Sequence, residues 1–210
     1  MSDRAARAAA VVRGFYAVLD RGDEELAHAL VGDGGARVLQ VRIKPSDAAT
    51  LADVARMARR VCDAHGAALV VNDRVDVALA VGADGVHLGQ TDLPIAVARE
   101  LAGDRVWIGI STHDIEQVAR AVAAGADYLG FGPVFATTTK RDPDPVQGID
   151  GLAAAVRVAA DVPVVAIGGI GLASSSAIYG TGAAALCAIS AVNNARDVAA
   201  AARALGRPSA

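Results

Sequence analysis

Short runs of Val, Ile and Leu alternate with longer Ala-rich segments along almost the whole chain. The apolar runs cover 15–19, 37–41, 67–71, 85–88, 106–110, 128–131, 162–167 and 184–189. The segments between and after them, 23–31, 47–65, 74–81, 94–101, 114–124, 149–160, 174–179 and 195–205, read as amphipathic helices. In 47–65, Leu51, Val54, Ala55, Ala58 and Val61 fall on one helical face, and Ser46 or Asp47 is suited to cap it. Pro94 suits a first helical turn. The alternation predicts parallel strands covered by helices. Eight strand–helix units in 210 residues predict an α/β fold at the small end of the (β/α)₈ class, a single TIM barrel over residues 1–210. Gly82-Ala83-Asp84, Gly125-Ala126-Asp127 and Gly182-Ala183-Ala184 each join a helix end to a strand start, where Gly suits a left-handed stop. An open doubly wound sheet is the alternative, weakened because no G-x-G-x-x-G follows the first strand. No linker or low-complexity stretch marks a second domain.

Composition narrows the class. Hydrophobic residues make up 53% and aromatics 3%, so Ala, Val, Gly and Leu build the core. A net charge of −3 argues against nucleic acid as a partner. Residues 1–12 are rich in Ala and Arg and lack the apolar stretch of a signal peptide, and no run is long enough to span a membrane. Cys62 and Cys187 sit far apart in apolar runs and read as reduced core residues of a cytoplasmic protein.

In such a barrel, ligands bind at the carboxyl ends of the strands, and the polar groups fall there. The sixth strand run ends in Gly130-Phe131-Gly132-Pro133, where Gly-Pro stops a strand. Thr137, Thr138, Thr139 and Lys140 follow, hydroxyl donors and a cation suited to phosphate. After the second strand, Gln40, Arg42 and Lys44 share one side at period two. One amide and two cations suit a planar heteroatom ring joined to an anion. Asn72 and Asp73 follow the third strand, and Asp92 the fourth. Two carboxylates at neighbouring strand ends near a diphosphate suit Mg²⁺, which prefers oxygen ligands, although each alone also suits a helix cap. Ser111 after the fifth strand is a candidate phosphate ligand, while His113 reads as a cap of the next helix. His87 reads as an inward barrel residue with a satisfied hydrogen bond, Trp107 as packing, and His28 and His65 as helix residues. Gly168-Gly169 after the seventh strand and Ile189-Ser190 after the eighth match the recurrent phosphate site of these barrels. Two anion-binding zones bridged by the 137–140 loop suggest two phosphorylated substrates side by side, hence group transfer.

These residues resemble one family. Gln40-x-Arg42-x-Lys44, Asn72-Asp73, Gly85-Val86-His87-Leu88-Gly89-Gln90-x-Asp92, Gly109-Ile110-Ser111-x-His113, Gly132-Pro133-Val134-Phe135-x-Thr137-x-Thr139-Lys140, Ala166-Ile167-Gly168-Gly169-Ile170 and Ile189-Ser190-Ala191 are similar, in order and spacing, to thiamine-phosphate synthases (thiamine-phosphate pyrophosphorylases). The resemblance implies coupling of hydroxymethylpyrimidine diphosphate with a thiazole phosphate carboxylate to give thiamine phosphate, diphosphate and CO₂. It implies a dissociative path in which diphosphate leaves first and the thiazole nitrogen captures the pyrimidinylmethyl cation. Arg42, Lys44, Ser111 and Lys140, with Mg²⁺ on Asp73 and Asp92, would then stabilise the departing charge. Gln40 and Asn72 would sit at the pyrimidine substrate. Thr137, Thr139, Gly169, Ile189 and Ser190 would hold the thiazole phosphate. The related thiazole tautomerases carry His where Pro133 stands here and lack the full diphosphate set, which leaves an isomerase as the alternative, with a non-catalytic thiamine phosphate or thiazole phosphate binder as another. Ile43 stands where an acidic residue is frequent in the family, and Asn193-Asn194 is not distinctive. The 141–147 segment suggests a lid with raised mobility. The sequence does not set the oligomeric state, a homo-oligomer included, nor the thiazole isomer used.

Overall fold

The computed structural model describes residues 2–44, 46–137 and 144–206. Helix α1 (Asp3–Val11) precedes β1 (Gly14–Leu19), and α2 (Glu24–His28) runs into a π-helical turn (Ala29–Asp33) before β2 (Val38–Val41). Then come α3 (Ala48–His65), β3 (Ala68–Asn72), α4 (Val75–Ala80), β4 (Gly85–Leu88), α5 (Ile95–Ala102), β5 (Trp107–Thr112), α6 (Ile115–Ala123) and β6 (Tyr128–Phe131). The chain ends its circuit with α7 (Gly148–Ala159), β7 (Val164–Ala166), α8 (Ser175–Gly180), β8 (Ala185–Leu186), α9 (Ile189–Asn193) and α10 (Val198–Gly206). All strand pairs are parallel, and β1 pairs with both β2 and β8, so the sheet closes in chain order. This is the expected (β/α)₈ barrel.

The closure explains why the strands read as unbroken apolar runs. One parity of each strand packs outward against helices, as do Leu19, Leu39, Leu69, Leu88, Ile108 and Leu129. The other parity fills the barrel interior with Tyr16, Val18, Val38, Val70, Tyr128, Val165 and Cys187. Both faces are buried, so the strands read as largely apolar, with Gln40, Asn72 and His87 as inward polar exceptions. Asp47 caps α3, its Oδ1 accepting from the Thr50 N–H at 2.8 Å, while the Ser46 hydroxyl turns to the Ile43 carbonyl. Cys62 and Cys187 are free and buried. Trp107 packs with Ala8 and Ala68, as its packing assignment expects.

Three local details differ from the expectation. Pro94 stands just before α5 rather than in its first turn, with ψ 145° outside the helical range. The eighth strand stops at Leu186, and Ile189 opens a short helix instead of extending the strand. Residues 3–11, which carry no long apolar run, form α1. Its Arg4 Nε donates to both Asp127 carboxylate oxygens at 2.8 and 2.9 Å, and its Ala8 closes the amino-terminal end of the barrel.

The Gly-Ala-Asp echoes have a structural meaning beyond the glycine. Gly82 and Gly125 take φ of 64° and 84°, ending their helices as expected. The aspartate that follows then reaches across to the preceding strand. Asp84 accepts from the Leu69 N–H, and Asp127 from the Ile108 N–H, both at 2.8 Å. Arginines Arg59 and Arg99 complete the two aspartates from neighbouring helices. Among the described residues, no helix is long and apolar enough to cross a membrane.

Candidate active site

A cavity of about 840 Å³ opens at the carboxyl ends of the strands, with residues from all eight strands or the loops after them on its wall. Gln40, Arg42, Lys44, Asn72, Asp73, Asp92, Ser111, Thr137, Gly169, Ile189 and Ser190 all line it. Thr139 and Lys140 lie outside the described residues, as do residues 141–143 of the proposed lid. At the far end of that segment, the Gln147 N–H donates to the Pro133 carbonyl at 2.9 Å.

One side of the cavity is ionic. Lys44 Nζ lies 2.7 Å from Asp73 Oδ2. Asp73 holds φ 63°, one of two non-glycine residues with positive φ among those described. Asp92 Oδ2 accepts from the Gly89 N–H at 2.7 Å, so it shapes the turn after β4. The Asp73 carboxyl is also within hydrogen-bonding reach of Asp92. Burial, and then this second carboxyl, push Asp92 above the usual carboxylate range. Lys44 offsets part of this charge, and two carboxyls turned toward each other are a donor set suited to a hard, oxygen-preferring ion. The described residues contain no group of three or more His, Cys, Asp and Glu side chains that could hold a metal, so such an ion would draw its remaining oxygens from water or substrate.

The opposite side is built from backbone. Gly168 and Gly169 take φ 89° and 65°. A Cβ on Gly168 would meet Pro133 Cα at 2.6 Å, and one on Gly169 would meet the Ala136 carbonyl at 2.4 Å. Only glycine lets the loops after β6 and β7 lie this close. They are stitched together by Val134 N–H to the Ile167 carbonyl at 2.8 Å and Phe135 N–H to the Gly168 carbonyl at 3.0 Å. The first half of the 130–140 stretch is therefore fixed to the β7 loop. Beside it, Ile189 and Ser190 bring the first turn of α9 to the cavity wall.

The floor is a buried polar chain. The Gln40 Nε2 amide donates to the Tyr16 hydroxyl at 3.0 Å, and the Tyr16 and Tyr128 hydroxyls are 2.8 Å apart. Tyr128 reaches His87 Nδ1 at 3.1 Å, and His87 Nε2 reaches the Ser111 hydroxyl at 2.9 Å. Burial, and then the nearby Arg42 charge, lower the His87 pKa to about 4, so the ring is neutral at physiological pH. His87 is thus the inward, hydrogen-bonded residue expected of it. His28 and His65 pair at 3.0 Å on the exposed helical surface, away from the cavity wall.

His113 corrects the sequence reading. Asp114 caps α6, its Oδ1 accepting from the Gln117 N–H at 2.7 Å. His113 instead turns toward the cavity, its Nδ1–H donating to the Gly132 carbonyl at 2.6 Å, with Nε2 3.5 Å from Asp144. A better cap type one residue on frees the imidazole for this contact. Tyr16 and Tyr128 also line the cavity without having been singled out. Their signal was available, because a phenol in an inward strand position needs a hydrogen-bond partner. Asn193, not distinctive in sequence, is buried and donates to the Val18 carbonyl and to Asp20, both at 2.9 Å, tying α9 to the end of β1.

Comparison with known proteins follows the same lines. The profile of the family described as thiamine monophosphate synthase matches residues 15–192. A thiamine-phosphate synthase of Laribacter hongkongensis is 49% identical over 172 residues, covering 82% of this chain and 81% of that protein. One from Chloroflexus aurantiacus is 48% identical over 172 residues, covering 82% and 79%. Among solved structures, thiamine phosphate pyrophosphorylase from Pyrococcus furiosus superposes with a TM-score of 0.84 at 37% identity, covering 93% of this chain and 94% of that one. A family profile spanning nearly the whole barrel, and relatives near half identity over most of their length, place the chain in the thiamine monophosphate synthase family.

Proposed function

We propose that the chain couples a pyrimidinylmethyl diphosphate to a thiazole phosphate carboxylate, giving thiamine phosphate, diphosphate and CO₂, and that the residues above divide the work as follows. As a member of its family it is a transferase of thiamine biosynthesis. The observation that carries the division is the two-sided cavity, ionic at Lys44, Asp73 and Asp92 and backbone-lined at Gly168, Gly169 and Ile189. One diphosphate and one monophosphate fit two such unlike walls.

The C–O bond to diphosphate breaks first, and its electron pair leaves on the diphosphate. Arg42, Lys44 and Lys140 neutralise the growing negative charge, and the Ser111 hydroxyl donates to it. Asp73 and Asp92 would hold Mg²⁺, which would supply further Lewis-acid charge against the departing diphosphate. Gln40 keeps its carbonyl and one N–H free of Tyr16, an acceptor–donor edge for the heteroatom ring. Asn72, inward on β3 and facing His87 across the ladder, borders the same substrate. The thiazole nitrogen then forms the new C–N bond, and when the carboxylate departs as CO₂ its bonding pair stays on the thiazole, where a proton from solvent completes thiamine phosphate. Thr137, Thr139, Gly169, Ile189 and Ser190 hold the thiazole phosphate, the last three largely through backbone N–H groups. No nucleophile–base pair is required of the protein.

We further read residues 1–210 as one domain acting on small molecules alone. Free, buried Cys62 and Cys187 suit a reducing, cytoplasmic setting.

Diphosphate release is expected only with both substrates and Mg²⁺ present, and chelation should stop it. Asp92→Ala and Lys140→Ala should each lower kcat/KM on the order of 100-fold. Full activity in both variants would overturn the site assignment, and isomerisation of the thiazole without the pyrimidine diphosphate would point to the isomerase instead.

A further inference from the structure

We propose that Tyr16, Tyr128 and His87 form a one-directional hydrogen-bond relay that positions Ser111 from Gln40, so that the Ser111 hydroxyl hydrogen is left to donate into the cavity. The proposal rests on the reading of Gln40 and Ser111 as substrate ligands. Direction follows from counting hydrogens. Gln40 Nε2 donates to Tyr16, so the Tyr16 oxygen already accepts. The one hydrogen of Tyr16 then belongs to Tyr128, 2.8 Å away. Reversing that bond would leave the Tyr16 hydrogen without an acceptor on a fully buried side chain, which costs free energy. Tyr128, having accepted, donates to His87 Nδ1 at 3.1 Å. A neutral imidazole that accepts at Nδ1 carries its hydrogen on Nε2, which donates to the Ser111 oxygen at 2.9 Å. The Ser111 hydrogen is thereby left to point at an anion.

The barrel makes room for the relay. A Cβ on Gly109 would lie 2.1 Å from the Tyr128 ring, and one on Gly130 would lie 3.2 Å from His87 Cε1. The Tyr128 ring is 5.8 Å from that of Tyr16 and 5.4 Å from that of His87, and all three are buried. Tyr16, Tyr128 and His87 are positioning residues here, acting on substrate through Ser111.

Two measurements test it on the full-length protein. The ¹⁵N resonances of the His87 ring, assigned by comparison with His87→Gln, are expected to report the Nε2–H tautomer, and an Nδ1–H tautomer overturns the relay. Tyr128→Phe removes the bonds to both Tyr16 and His87 and is expected to lower kcat/KM for the pyrimidine diphosphate about tenfold. In a Ser111→Ala background the same change should have little further effect. Equal losses in both backgrounds would mean that Tyr128 only fills space, and would overturn the proposal. His87→Gln, which can still donate toward Ser111, should retain more activity than His87→Leu, and the reverse order overturns it. A wild-type protein with no coupling activity would refute the functional reading while leaving the tautomer result to stand on its own.

Discussion

At Gly169 the backbone holds φ 65° with no space for a methyl group, because the Ala136 carbonyl would lie 2.4 Å from it. Gly169→Ala should therefore destabilise the fold by about 1–3 kcal/mol and raise KM for the thiazole phosphate more than for the pyrimidine diphosphate. Urea unfolding and the two KM values check this, and an unchanged thiazole KM would remove the β7 loop from the site. His87 allows a pH prediction. Unfolded, a histidine binds its proton near pH 6.5, whereas folded His87 stays neutral down to about pH 4. Between those values the unfolded chain holds the extra proton, so this contribution to stability is complete above pH 6.5 and is lost as pH falls toward 4. It amounts to about 3 kcal/mol. Urea titrations at several pH values should show that part of the slope vanish in His87→Gln. Single residues were legible in sequence where they broke a local pattern, as Gln40 does inside an apolar run. His113 was not, because the choice between two neighbouring cap candidates depends on a carbonyl at Gly132, nineteen positions away.

Elements were legible where tertiary context agreed with local pattern. The long α3 showed its apolar face and its capping Asp47, and the glycines that end α4 and α6 marked those ends. Helix α1 was obscured because what holds it is distant. Arg4 pairs with Asp127, 123 positions away, and Ala8 rests on Ala68 and Trp107. Asp127 has a side chain only 1% exposed, and it also accepts from Arg99 and Ile108. Arg4→Met should cost about 1–3 kcal/mol, since Asp127 keeps its other partners. Turnover at saturating substrate should be unchanged, because α1 lies at the opposite end of the barrel from the cavity. A fall in kcat as large as the fall in stability would show that the two ends are coupled. The eighth strand misled for a related reason. Its ladder covers only Ala185 and Leu186, and the apolar residues beyond continue as the turn and helix that reach the cavity. Periodicity alone does not separate those two uses of an apolar run.

At the scale of the molecule, the barrel separates stability from chemistry. Buried Arg–Asp clusters and the α1 cap gather at the amino-terminal ends of the strands, and every described candidate site residue gathers at the carboxyl ends. That polarity follows from eight parallel strands, which is why a sequence showing only their order already indicated where ligands would bind. What it did not show was how the walls are held, because the cross-loop bonds from Val134 and Phe135 to the β7 loop join residues over thirty positions apart. The backbone of Asp73 sets the two concerns against each other at one position. An L-residue at φ 63° sits in a region where glycine is at ease and a β-carbon is not. Asp73→Gly should consequently fold as well as the wild type, or better by up to about 1 kcal/mol, while its diphosphate-releasing activity collapses. A variant that melts higher and does not turn over would mark Asp73 as a residue retained against the fold's own preference. Selection for stability alone would have removed it.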